Sequence, residues 1–112
     1  MATVKANLSG PQQLTVTTAV TLRTTAANEI DVIFVIWVSN PSASAVSFSF
    51  SIGADGVTTR IVGTNTVANI PANSVVPFYG PWIIPASTVI TATAGTANVL
   101  TVTVTGEIRT PG

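Results

Sequence analysis

The chain has 112 residues, no cysteine, no histidine and a formal net charge of zero, with 7% of its residues charged. Those counts exclude a disulfide framework, a thiolate or imidazole metal centre, and any Ser–His or Cys–His nucleophile. Four basic residues balanced by four acidic ones also exclude the basic surface that nucleic-acid binding requires.

About a quarter of the residues in an ordinary globular chain are charged, and a free monomer draws colloidal stability from them. A chain this neutral suits packing against partners, identical or different. Its length fits one domain over residues 1–112, large enough for a real core. The first five residues, Met-Ala-Thr-Val-Lys, lack the apolar segment of a signal peptide. Synthesis in a cytoplasm without a standard leader is therefore expected.

Taken in order, residues 3–9 alternate Val4, Ala6 and Leu8 on one side, an edge strand closed by Ser9-Gly10-Pro11. Residues 14–25 form one bent strand or two short ones, with Leu14, Val16, Val20 and Leu22 inward. Ala26-Ala27-Asn28 then turns into the most apolar run of the chain, residues 29–39. A hairpin there places Arg23 near Asp31 across the ladder. Strict alternation puts Ile30, Val32, Phe34, Ile36 and Val38 on one face of that run, and Asp31, Ile33, Val35 and Trp37 on the other. Both faces are apolar, whereas an antiparallel strand of a lone sandwich usually shows water one polar face. At seven residues, the run 32–38 is far short of the roughly 20 needed for a membrane helix, and no membrane partner is expected.

Residues 46–52 read as a half-exposed strand, Val46, Phe48, Phe50 and Ile52 inward and Ser47, Ser49 and Ser51 outward. Gly53-Ala54-Asp55-Gly56 is a hairpin turn, and the return strand over 57–64 sets Arg60 near Ser51 and Ile61 near Phe50. A short strand over 66–70 follows, then residues 74–79, where Pro77 removes a ladder donor and demands an edge or a bulge. Pro81 and Pro85 bracket Trp82-Ile83-Ile84. Residues 88–93 and 98–108 close the chain as a hairpin, with Leu100, Val102, Val104 and Ile108 inward and Gly106 marking a bulge. The sum is an all-β fold, a single antiparallel β-sandwich of about eight strands, jelly-roll or Ig-like.

Three groups carry what chemistry there is. Glu29 and Asp31 stand two apart, roughly 7 Å by strand rise. That spacing suits a glycosidase pair or a calcium site, or simply a solvated strand entrance beside Arg23. Asp55 reads as a turn residue. The threonines Thr91, Thr93, Thr101, Thr103 and Thr105 resemble an ice-binding array but lack its fixed solenoid period. No catalytic residue, cofactor or metal site follows from any of these. What remains is adhesion. The aromatic–proline cluster holding Phe78, Tyr79 and Trp82, and the second apolar face Ile33, Val35 and Trp37, form the candidate interface. Tyr79 and Trp82 would also make a stacking platform for a sugar.

Several strand-and-turn phrases carry a resemblance. They are Ala19-Val20-Thr21-Leu22-Arg23-Thr24, Val38-Ser39-Asn40-Pro41-Ser42-Ala43-Ser44-Ala45-Val46, Ile70-Pro71-Ala72-Asn73-Ser74-Val75, and Ala97-Asn98-Val99 running to Thr103-Val104-Thr105-Gly106. From about residue 19 to 108 the chain resembles the small β-sandwich virion proteins of tailed bacteriophages. The resemblance implies a non-enzymatic part of the virion assembled in the host cytoplasm. A capsid decoration (cement) protein of this kind binds as a homotrimer to neighbouring major capsid subunits. Related sandwiches serve in tails, collars and baseplates, where a carbohydrate or receptor is the partner.

Overall fold

The computed structural model describes residues 2–53, 60–62 and 68–110. All regular structure among them is strand: β1 (Ala2–Gln13), β2 (Val20–Thr24), β3 (Ile30–Asn40), β4 (Val46–Ile52), β5 (Arg60–Val62), β6 (Ala68–Ile70), β7 (Ser74–Ile84), β8 (Val89–Ala94) and β9 (Thr101–Thr110). They form two sheets, the first ordered β1-β9-β3-β7 and the second β2-β8-β4-β5, with β6 also on β4. β5 and β6 pair with successive stretches of β4, Arg60 and Val62 with its end and Ala68–Ile70 with its start. The second sheet is therefore four strands wide although it holds five. Every pairing is antiparallel, and the fold is a β-sandwich.

The expected hairpins give way to a different connectivity. β2 pairs with β8 rather than β3, and β9 pairs with β1 and β3 rather than β8. The chain passes between the sheets at nearly every turn, and of consecutive strands only β4 and β5 pair with each other. Ser51 does face Arg60 in that pair, but Phe50 stands opposite Val62 rather than Ile61 because the ladder shifts by one residue. The turn with Ala54, Asp55 and Gly56, and the side chains of Val4, Ala6, Arg60 and Ile61, lie outside the described residues.

Between the sheets sits one core cluster, drawn from both: Leu14, Ile36, Val38, Phe48, Phe50, Ile70, Ile84, Leu100, Val102 and Val104 are sealed within it. The alternation in β4 and β9 puts Val46, Phe48, Phe50, Val102 and Val104 inward as their sequence requires. Phe78 of β7 stacks on Phe48 with ring centroids 5.9 Å apart and planes at 21°. Such a pair contributes about 0.5–1.5 kcal/mol beyond its area. Val16 departs from expectation, lying exposed in the segment between β1 and β2. Ser49 and Ser51, expected at the surface, are buried, and so is Thr91. Their hydroxyls sit on the side of the second sheet away from the core, Ser49 sharing a short hydrogen bond with Thr93 and Thr91 donating to the Gly53 carbonyl at 2.8 Å.

The alternation of β3 breaks at Phe34. Both of its ladders shift between Ile33 and Val35: against β9, Phe34 is the extra residue of a β-bulge, whereas against β7 the extra residue lies in β7, between Tyr79 and Trp82. Before it Asp31 and Ile33 point inward; after it Ile36, Val38 and Asn40 do, and Val35, Trp37 and Ser39 turn outward. Ile33 thus parts company with Val35 and Trp37. Glycine permits the distortion on both sides. A Cβ at Gly106 of β9 would strike the Val32 carbonyl, and one at Gly80 of β7 the Ile33 carbonyl. Gly106 therefore stands opposite a bulge instead of forming one.

Candidate docking face and buried ion pair

The two carboxylates singled out by spacing end up around one guanidinium. Arg23 near the end of β2 donates from Nε to Asp31 Oδ2 at 2.5 Å and from an Nη to Oδ1 at 3.2 Å. Thr25 Oγ1 donates to Oδ2 at 2.9 Å. Glu29 stands farther off, 3.8 Å from the same guanidinium. Asp31 is wholly buried, and it belongs to the first sheet while Arg23 belongs to the second. Their proximity was foreseen, but the pair crosses the gap between sheets rather than a hairpin ladder. A bidentate charge-assisted pair with a third donor satisfies a buried carboxylate. It fastens one corner of the sandwich. Both Asp31 oxygens accept hydrogen bonds within the fold, which suits neither a general base nor a calcium ligand open to solvent. Among the described residues no three carboxylates gather to hold a metal.

The six candidate interface residues divide evenly. Ile33 is sealed in the core, Phe78 packs on Phe48, and Trp82 lies half-buried against the same cluster. Val35, Trp37 and Tyr79 lie on the outer face of the first sheet. Their register is explicit: Val35 opposes Tyr79 and Trp37 opposes Pro77. Tyr79 and Trp82 consequently project to opposite sides of β7, and the sugar platform imagined for them does not form. Tyr79 instead lies diagonal to Trp37, within reach of a large side chain.

Sequence reasoning missed three members of this outer face. Val75 opposes Ser39, Ile83 opposes Val32, and Phe34 emerges at the bulge. Exposure is 69% for Tyr79, 67% for Ile83, 60% for Val75 and 39% for both Trp37 and Phe34. For Val75 and Ile83 the signal was available in the strict alternation Val75, Pro77, Tyr79, Pro81, Ile83, where prolines take two of the five places. On the β9 side the apolar stripe borders Thr101, Thr103 and Thr105, which oppose Ser39, Trp37 and Val35. At one end Arg109 donates to Glu107 at 3.0 Å, so these two charges answer each other. An apolar centre with a hydroxyl rim, and no unpaired charge among its described side chains, has the anatomy of a protein interface.

No family model matches the chain, and no curated protein does either. Solved structures do. A chain in the structure of infectious bursal disease virus, Gx strain, superposes with a TM-score of 0.50 at 15% identity over 96% of the present chain. A chain in the structure of the Gt strain of that virus superposes at 0.38, again with 15% identity and 96% coverage. The present chain spans about a third of those chains, 31% and 29%. The first likeness is one of fold.

Proposed function

We propose that the chain is a non-enzymatic structural component of a virus particle. Within that class it is a capsid decoration (cement) protein that binds neighbouring major capsid subunits as a homotrimer and stabilises the head. The observation that carries the reading is the outer face of the first sheet, where five large apolar side chains stand exposed. A lone protein rarely keeps such a patch without a partner. The strand orders β1-β9-β3-β7 and β2-β8-β4-β5/β6, joined by connections that cross between the sheets, support a jelly roll, an architecture that viral capsids use. The fold shared with a chain of infectious bursal disease virus supports a viral setting, and the sequence phrases point to tailed bacteriophages within it. The absence of histidine and cysteine from the chain, with Asp31 engaged by Arg23 and Thr25, supports a role without catalysis.

Tyr79 beside Trp37 favours a second reading, a tail or baseplate module that stacks a sugar on this face. One experiment separates them. Purified particles are analysed by mass spectrometry, and their heat resistance is compared with and without the protein. Stoichiometric copies on heads that open at lower temperature without them bear out the cement reading. Absence from particles overturns it, and a few copies on the tail together with tryptophan quenching by host polysaccharide select the other.

A further inference from the structure

We infer that the outer face of the first sheet binds further copies of this same chain, sheet face on sheet face. The inference rests on the reading of that face as the docking surface and names its occupant. Area is the first ground. Phe34, Trp37, Val75, Tyr79 and Ile83, at their stated exposures, present roughly 500–600 Å² of accessible side-chain surface, taking about 150–250 Å² for a whole aromatic side chain and somewhat less for an aliphatic one. A stable interface takes about 800 Å² from each partner, of which about 60% is apolar. The stripe alone supplies that apolar share, and the threonine rim of β9 can supply the rest.

Charge is the second ground. A surface that meets its own copy brings like charges together unless it carries none unpaired. Among the described side chains of this face Glu107 and Arg109 neutralise each other, and the stripe itself is uncharged. A face built to meet a charged foreign surface would instead display complementary charge.

The edges are the third. β7 ends its sheet, and an edge strand of eleven residues would ordinarily invite strand addition. Pro77 and Pro81 interrupt its row of donors. At the opposite edge the β1 ladder shifts twice, between Asn7 and Ser9 and between Ser9 and Gln12. Edge-to-edge growth into a continuous sheet is thereby discouraged, leaving the face as the route of contact.

The test is analytical ultracentrifugation of the full chain from about 1 to about 100 μM, alone and as Tyr79→Lys, Ile83→Lys and Val16→Lys. Circular dichroism checks that each variant folds, which is expected because all three positions are exposed. The native chain and Val16→Lys should sediment as a dimer or trimer, and the two face variants should associate at least about tenfold more weakly. A native chain that stays monomeric throughout overturns the inference, as does association unaffected by Tyr79→Lys. Such a monomer found on particles overturns self-association alone and leaves the virion reading standing, so the two failures are distinguishable.

Discussion

Removing Arg23 should destabilise the sandwich more than neutralising its partner does, although the two share one interaction. Asp31 has no exposed side-chain surface, whereas the Arg23 side chain is 21% exposed. In Arg23→Ala the carboxylate is stranded in the interior with Thr25 as its one remaining side-chain donor. Breaking a buried pair in this way costs about 3–5 kcal/mol, a large part of the roughly 5–15 kcal/mol that holds a domain together. With a urea m-value of about 1.5 kcal/mol per molar for a chain of this size, the midpoint should fall by about 2–3 M. In Asp31→Asn the shape is kept, Arg23 reaches solvent and Glu29 stands 3.8 Å away. The cost there should be about 1–3 kcal/mol, the loss of a charged hydrogen-bonded contact. Urea melts of the two variants at neutral pH, followed by tryptophan fluorescence, measure both. If Arg23→Ala unfolds at the same urea concentration as Asp31→Asn, or at a higher one, the corner pair does not carry the load assigned to it.

Two further substitutions probe the sheets. Gly106→Ala drives a Cβ into the Val32 carbonyl, so β9 and β3 must part locally. A loss of about 3 kcal/mol, the upper end of overpacking costs, should appear in a thermal melt, and a neutral result would deny the close approach. Ser51 carries a buried hydroxyl without a hydrogen-bond partner among the described residues. Ser51→Ala should raise stability by up to about 1 kcal/mol, read from the same melt, where a clear loss would reveal a partner.

Much of this was written plainly in the sequence. The residues of β4 and β9 announce their inner faces because each strand keeps period two from end to end. Pro77 announces an edge because a residue without an N–H has few other places in a sheet. Two kinds of information were not local. Alternation tells which side of a strand a residue occupies, not whether that side is covered, so Ser49 and Ser51 read as surface and are buried. Pairing between sequence neighbours is the economical guess. Here, however, the turn after β2 carries the chain to the other sheet, and so does the turn after β8. Arg23 and Asp31 still meet because a turn across the sandwich and a turn within a sheet bring the same pair close. The outer face of the first sheet was half legible. Val35, Trp37 and Tyr79 do share it, while Ile33 was carried to the wrong side by an alternation that Phe34 interrupts. The clue lay in the strands on either side, where Gly80 and Gly106 sit in positions that ordinary side chains would fill.

The same bulge bears on how this gene can change length. Deleting Phe34 would restore even pairing of β3 with β9 and a plain alternation through Ile33, Val35 and Ile36, leaving Trp37 outside and Ile36, Val38 and Asn40 inside. The two faces of the strand thus survive the loss of this one residue, whereas a one-residue slip in a strand without such a bulge carries every later side chain to the other face.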